Sequence, residues 1–165
     1  MNGHELRRGG GWLLLAAVLG LALAGTAFTA PSWATEEEEE KPYRISEDGV
    51  VDWYTFSGFR RYHAECHVCH GPDGLGSSFA PALVETMKEM SYDDYAEIVV
   101  NGRENVGTTA QSKMPSFGEN LNVMCFLDDI YAYLKARADG ALGRGRPQKE
   151  AKPEEAKERD NDCLG

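Results

Sequence analysis

Two cysteines and a histidine stand close together near the middle of the chain, in the run Cys66-His67-Val68-Cys69-His70. Two thiols three positions apart can form thioether bonds to the two vinyl groups of a haem, and a histidine directly after the second thiol can bind the iron on one face. One turn of backbone places both sulfurs over one porphyrin edge. The spacing therefore predicts one covalently attached haem c, held by Cys66 and Cys69, with His70 as an axial ligand.

The same two cysteines could instead form a redox-active disulfide or half of a zinc site. Redox motifs of the thioredoxin type begin a helix after a strand, whereas this pair ends a segment with helical periodicity. The sequence contains no second Cys-x-x-Cys that would complete a zinc site. The histidine directly after the second cysteine distinguishes these interpretations, and it favours haem attachment.

An iron bound by His70 has a second axial position, and Met114 is the best candidate to fill it. Met114 precedes Pro115 in a segment predicted to be a loop, from which a flexible thioether could reach the opposite face of the haem. His63 and His67 lie too close to the cysteines to reach that face. Three further methionines lie within or beside predicted helices and are predicted to fill the core: Met87, Met90 and Met124.

The segments on both sides of the motif have the periodicity of helices. Asp52 can cap a helix over residues 53–62 that leads straight into the cysteine pair. Ser91, followed three positions later by an acidic residue, predicts a capping box for a helix over Tyr92–Asn101, which Gly102 ends.

A last helix is predicted to begin near Leu121. The runs between the helices, over 71–81 and from 103 to Phe117, are predicted to be loops, the first because it is rich in Gly and Pro. No segment has a convincing strand pattern. The sequence therefore predicts an all-α fold, a small helical wrap around one haem.

The charge balance limits the partners that the protein can have. The 165 residues include 17 basic and 27 acidic side chains, which give a formal charge of −10. Nucleic acid requires clustered Lys and Arg, so it is excluded as the main partner. A hydrophobic content of 42% is ordinary for a globular chain and excludes collagen-like, coiled-coil and wholly disordered classes.

The first 34 residues resemble a secretory signal peptide. Arg7 and Arg8 form a basic start, the apolar run 12–25 is too short for an ordinary transmembrane helix, and Ser32 and Ala34 suit a cleavage site after Ala34. The alternatives are an uncleaved N-terminal anchor and, less favoured, a twin-arginine signal. Cleavage would leave an exported protein with no stable membrane insertion.

Two charged segments flank the predicted domain. Residues 35–42 contain a block of glutamates with no apolar side chain to bury and are predicted to be mobile. Residues 141–165 form a charged tail with few apolar residues, also predicted to be mobile, because burial cannot offset its conformational entropy. The folded domain is thereby predicted to span residues 43–140.

The order of these elements resembles a class I c-type cytochrome over residues 52–139. The resemblance rests on Cys66, Cys69, His70, Met114, Gly58, Tyr62 and the closing run 130–135. In that family the first and last helices cross where a glycine meets an aromatic ring, and Gly58 and Tyr62 match these positions. Pro81 resembles the proline whose carbonyl accepts a hydrogen bond from the axial histidine, here His70.

Three runs, 45–54, 112–117 and 122–127, are further similar to the methanol-metabolism-related cytochromes. This resemblance implies a periplasmic one-electron carrier, not an enzyme. Its electron donor would be a pyrroloquinoline-quinone (PQQ) methanol dehydrogenase, notably of the lanthanide-dependent kind, and its acceptor a downstream cytochrome or terminal oxidase. We expect a monomer. The alternatives are a carrier for another periplasmic dehydrogenase, a fixed subunit of a larger complex, and a haem enzyme or gas sensor whose distal ligand is displaced.

Two cysteines lie outside the motif, Cys125 and Cys163. In an oxidising compartment an even remaining pair favours an intramolecular disulfide. Alternatively, Cys125 could be a buried apolar filler, with Cys163 free or linking two molecules.

Overall fold

The computed structural model describes residues 40–106 and 111–165. The predicted signal peptide 1–34 and residues 35–39 of the predicted acidic segment lie outside the described residues. No helix in the part of the chain that the structure describes is long and apolar enough to cross a membrane.

The first helical region runs from Trp53 to the end of the cysteine motif. Helix α1 covers Trp53–Arg61, continues as a π-helical turn over Tyr62–Cys66 and then as α2, His67–His70. Asp52 caps it as predicted, because its carboxylate accepts hydrogen bonds from the backbone N–H groups of Tyr54 and Thr55 at 2.9 and 3.1 Å.

The second region covers the middle of the chain. A 3₁₀ turn over Pro72–Gly74 is followed by a short helix α3, Leu83–Thr86, and by α4, Tyr92–Asn101. The predicted cap of α4 is confirmed, since the Ser91 hydroxyl accepts a hydrogen bond from the backbone N–H of Asp94 at 3.1 Å. Gly102, with a φ of 76°, ends the helix as predicted.

Two short strands follow α4, so the prediction that the chain contains no strand was wrong. Strand β1, Arg103–Val106, pairs antiparallel with β2, Gln111–Met114, with Arg103 opposite Met114. Each strand has four residues and no apolar alternation, so hydrophobic periodicity carried no signal for them. The other regular elements of the described residues are helices, in agreement with the predicted helical fold class.

The predicted last helix is divided into two. Helix α5 covers Leu121–Met124 and α6 covers Leu127–Ala138. The interruption lies at Phe126, whose φ and ψ of −134° and 24° are not helical. The apolar intervals on both sides are regular, which is why the sequence predicted one continuous helix.

The core is centred on the crossing of α1 and α6. Gly58 permits their close approach, because a Cβ atom at this position would lie 1.7 Å from the carbonyl oxygen of Asp129 on α6. The rings of Tyr62 and Tyr133 meet beside this crossing with centroids 5.4 Å apart. The first and last helices therefore cross at a glycine, as the family resemblance implied. Gly58 itself faces the backbone of Asp129, and the aromatic contact beside the crossing joins Tyr62 with Tyr133.

The C-terminal segment, residues 141–165, is part of the fold, and the prediction that it forms a mobile tail was wrong. It contains helix α7, Glu154–Leu164, and buries Leu142 and Ala156 against the core. Its backbone also pairs with the region before α1, where the N–H of Val51 donates to the carbonyl of Gln148 at 2.9 Å. The sequence of this segment has no long apolar stripe, so a few buried side chains and polar contacts hold it against the core.

A disulfide joins Cys125 with Cys163 and attaches α7 to the junction of α5 and α6. The intramolecular pairing predicted from the sequence is thereby confirmed. An ion pair supports the same attachment, because the guanidinium of Arg159 donates to both carboxylate oxygens of Asp129 at 2.8 Å. Asp129 is 2% exposed, so this contact neutralises a buried charge.

Candidate functional site

The cysteine motif lies at the end of the first helical region. Cys66 closes the π-helical turn, and Cys69 lies on α2, where it is exposed. Both thiols are free, whereas the two cysteines outside the motif pair with each other. The motif thus presents two unpaired sulfurs on one helical turn, which is what thioether attachment requires.

The protonation of Cys66 argues against a redox disulfide. Burial raises the pKa of its thiol to about 12, and the neighbouring Glu65 acts in the same direction. Thioredoxin-type motifs depend on a cysteine whose pKa is lowered, so that the thiolate forms at neutral pH. A protonated, partly buried thiol does not suit that chemistry.

His70, at the end of α2, is buried and held in one orientation. Its Nδ1–H donates a hydrogen bond to the carbonyl oxygen of Pro81 at 3.1 Å, as the family resemblance implied. Because Nδ1 carries this proton, Nε2 is the nitrogen available to bind a metal. The hydrogen bond also makes the imidazole a more basic ligand.

The loop between His70 and Pro81 is tied back to the helix that precedes it. The backbone N–H of Gly76 donates to the carbonyl of His70 at 2.7 Å. The hydroxyl of Tyr62 donates to the carbonyl of Gly71 at 2.6 Å. These bonds fix the start of the loop, and the Pro81 contact fixes its end.

Two exposed apolar side chains lie in the loop that follows the histidine. Leu75 and Phe79 lie in the chain between His70 and Pro81 and are 43% and 76% exposed. The two free thiols and a histidine whose Nε2 is available form a donor set that fits haem c, and the exposed apolar side chains suit contact with a flat apolar group. In residues 40–106 and 111–165, no three His, Cys, Asp or Glu side chains are grouped to hold a metal ion, so the zinc alternative gains no support.

Met114 comes from a separate element. It is the last residue of β2 and is half-buried, so it lies on a strand and not in the loop that the sequence predicted. The segment after it is tied to the end of α4 by the N–H of Phe117, which donates to the carbonyl of Val99 at 3.0 Å. Cys66, Cys69 and His70 share one helical region, whereas Met114 lies on a strand. The role of Met114 as the second axial ligand stays a prediction.

The other residues considered for the iron have their own contacts. Met87 is buried in the core, as predicted, and Met90 packs partly buried against it. His63 is held by a hydrogen bond from Nδ1 to the carbonyl of Phe59 at 2.8 Å.

Sequence reasoning missed Asp73, a buried carboxylate in the loop that follows His70. Its contacts come from residues far along the chain, including Arg144 and Gly145. The run Pro72-Asp73-Gly74 indicated only a turn. Nothing in the local sequence pointed to partners in the C-terminal segment.

Comparison with known proteins gives a consistent result. The family model described as cytochrome c oxidase, cbb3-type, subunit III, matches residues 56–134. The chain is 53% identical to cytochrome c-553I of Paracoccus denitrificans over 133 residues, which is 80% of this chain and 58% of that protein. It is 35% identical to cytochrome c-555 of Methylococcus capsulatus (strain Bath) over 137 residues, 82% of this chain and 89% of that protein.

A solved structure is also similar. The crystal structure of the c-type cytochrome XoxG from Methylobacterium extorquens AM1 matches with a TM-score of 0.63 and 47% sequence identity. The match covers 77% of this chain and 84% of that one.

Proposed function

The chain belongs to the class I c-type cytochromes, which carry covalently attached haem c and transfer electrons, and we propose that it accepts single electrons from a PQQ-dependent methanol dehydrogenase. It would pass them to a downstream cytochrome or terminal oxidase. We place this activity in the periplasm, after removal of residues 1–34, and assign it to a monomer. The donor assignment rests on the resemblance of three sequence runs to the methanol-metabolism-related cytochromes, and the periplasmic location rests on the signal-peptide pattern of residues 1–34.

The observation that carries the proposed role is the fixed imidazole of His70. Its hydrogen bond to Pro81 holds the ring in one orientation and leaves Nε2 as the nitrogen that would bind the iron. Cys66 and Cys69 would hold the porphyrin, and Met114 would supply the second axial ligand. The haem supplies a one-electron redox couple when bound.

The residues around the iron favour electron transfer over substrate chemistry. With both His70 and Met114 as ligands, the iron would have no position left to bind a substrate. A thioether ligand stabilises the reduced iron and raises the reduction potential. The hydrogen bond of His70 and the strand pairing of Met114 would limit the movement of both side chains when the charge of the bound centre changes.

The donor assignment is tested by reducing the oxidised holoprotein with purified enzymes. We expect a lanthanide-dependent methanol dehydrogenase with methanol to reduce the haem rapidly, as followed by its visible absorption. The same mixture without methanol is one control, and another PQQ-dependent alcohol dehydrogenase with its own alcohol is a second. Reduction by the second enzyme alone would contradict the methanol assignment and leave the family unaffected.

The encounter between the two proteins is expected to be brief and steered by charge. The chain carries a formal charge of −10, so a partner surface with clustered Lys or Arg would attract it. The association rate measured by stopped flow is then expected to fall as ionic strength rises. A rate independent of ionic strength would contradict electrostatic steering.

A further inference from the structure

Asp73 is an unusual residue in the loop that follows the axial histidine. It lies three positions after His70 and is 5% exposed. Its φ of 59° makes it the single non-glycine residue with a positive φ in the described part of the chain. Left-handed backbone is unfavourable for most side chains, and a buried carboxylate is costly without partners. A position that combines the two must be stabilised by its surroundings.

The partners of Asp73 come mainly from the C-terminal segment. The backbone N–H of Gly145 donates to Oδ1 at 3.1 Å, and Nε of Arg144 donates to Oδ2 at 3.2 Å. Arg137 of α6 donates to the Asp73 carbonyl at 3.2 Å, and Nε2 of His63 lies 3.7 Å from Oδ1.

These contacts keep the carboxyl ionised. Burial alone would raise the pKa of Asp73, but the hydrogen bonds from Gly145 and Arg144, with the charge of Arg137, outweigh it and leave the pKa below its ordinary value. At neutral pH a negative charge is therefore buried in the loop beside the haem site.

The loop that contains Asp73 is hydrogen-bonded to His70 both near its start and at its end. At its start, the carbonyl of His70 accepts the N–H of Gly76, and the carbonyl of Gly71 accepts the hydroxyl of Tyr62. At its end, Pro81 accepts the Nδ1–H of His70. A displacement of Asp73 would thus move both the backbone that follows the axial ligand and the acceptor that orients its ring.

We propose that Asp73 is a positioning residue for His70 and that its charge lowers the reduction potential of the bound haem. Arg144 of the C-terminal segment holds Asp73 in place and opposes the negative charge of its carboxylate. A nearby carboxylate favours the more positive, oxidised centre, and a guanidinium favours the reduced one. The proposal depends on haem binding at His70 and is independent of the electron donor.

The test compares midpoint potentials of holoproteins in a spectroelectrochemical titration at low ionic strength. Asp73→Asn is expected to raise the potential, because it removes a negative charge and keeps the side-chain shape. Arg144→Gln is expected to lower it, because it leaves Asp73 less compensated. Arg144→Lys, which keeps the charge, is expected to restore a potential near that of the unchanged protein. Purely structural roles would lower stability without shifting the potentials in opposite directions.

A matched control separates charge from loss of stability. Asp129→Asn also removes a buried carboxylate paired with an arginine, but at the contact of α6 with α7. It is expected to lower the free energy of unfolding and to leave the potential unchanged. The paramagnetically shifted proton signals of the His70 ring should move in Asp73→Asn and keep their positions in Asp129→Asn.

Two outcomes would overturn the proposal. One is that Asp73→Asn and Arg144→Gln keep the potential of the unchanged protein, and the other is that both shift it in the same direction. Should Asp73→Asn fail to mature, Arg144→Gln decides alone, because its side chain is 69% exposed and its replacement does not disturb the core. An unchanged potential in that variant would contradict the assignment.

Discussion

His70 and Tyr62 are each fixed by one hydrogen bond to the loop that follows the cysteine motif. His70 donates to Pro81, and Tyr62 donates to Gly71. Both acceptors are backbone carbonyls, so the contacts depend on the course of the chain. That course depends on Gly71, because a Cβ atom there would lie 2.2 Å from the carbonyl oxygen of Gly76. Single substitutions can therefore distinguish the effect of losing an iron ligand from the effect of losing a hydrogen bond to the loop.

Met114→Ala tests the second axial ligand. We expect loss of the weak near-infrared absorption that a thioether gives when bound to ferric haem, a lower reduction potential, and rapid binding of carbon monoxide by the reduced protein. Met87→Leu is the matched control, because Met87 is 1% exposed in the core and its replacement conserves volume. Retention of the absorption band in Met114→Ala would contradict the assignment.

Two buried tyrosines provide a paired test of the hydrogen bond to the loop. Tyr62→Phe removes the 2.6 Å bond to Gly71 and is expected to cost about 1 kcal/mol in the free energy of unfolding. Tyr133 is equally buried, but its hydroxyl has no hydrogen-bond partner among the described residues. Tyr133→Phe is therefore expected to be neutral or stabilising in urea unfolding. An equal loss in both variants would contradict this distinction.

The same tyrosines predict sensitivity to alkali. Burial raises the pKa of both side chains above the ordinary value of 10.0. Above that pH the unfolded chain ionises while the folded protein keeps both hydroxyls protonated. The stability that depends on this difference in pKa between the folded and unfolded states is thus complete below about pH 10 and is lost as the pH rises further. The free energy of unfolding measured across this range should fall less steeply in Tyr133→Phe than in the unchanged protein.

At the level of elements, the crossing of α1 and α6 leaves no room for a side chain at Gly58. A methyl group there would meet the carbonyl oxygen of Asp129 at 1.7 Å, so Gly58→Ala must separate the helices. We expect a loss of about 3 kcal/mol in urea unfolding, the upper end of the usual cost of overpacking. Gly143→Ala is the control, because nothing lies within 4 Å of its added Cβ. Similar stability of the two variants would contradict the close crossing.

The contact between α6 and α7 depends on the ion pair of Asp129 and Arg159. Arg159→Met would leave a carboxylate that is 2% exposed without its partner, and we expect a loss of about 3 kcal/mol in the free energy of unfolding. Burial raises the pKa of Asp129, so lowering the pH should protonate it more readily in the folded state and reduce the deficit.

The double variant Asp129→Asn with Arg159→Met is the control for this ion pair. It removes both charges and should recover much of the lost stability. A single variant as stable as the unchanged protein would show that the pair contributes little.

At the scale of the whole molecule, the sequence predicted what depends on local or periodic signals. The caps at Asp52 and Ser91 and the haem motif are local patterns, and the matching of Gly58 and Pro81 came from the family resemblance. The place of the C-terminal segment could not be predicted in this way, because it depends on single long-range pairs such as Arg144 with Asp73. One signal was present, since a disulfide to Cys163 already implied that the segment is ordered.

The disulfide between Cys125 and Cys163 closes a sequence separation of 38 residues. On the chain-entropy model, replacing both cysteines by alanine is expected to cost roughly 3 to 4 kcal/mol in the free energy of unfolding. Reduction of the unchanged holoprotein should give the same loss and should have no effect on the double variant. Thiol titration of unreduced holoprotein that finds two reactive sulfhydryls would contradict the pairing.

The order of these contacts along the chain has a consequence for biosynthesis. Arg144, Arg159 and Cys163 all follow the haem-binding residues, so they leave the ribosome after the motif has been made. Until these residues have been synthesised, Asp73 and Asp129 lack the arginines that pair with them in the folded protein. A chain released before residue 144 would therefore carry every haem-binding residue but leave both carboxylates without an arginine partner.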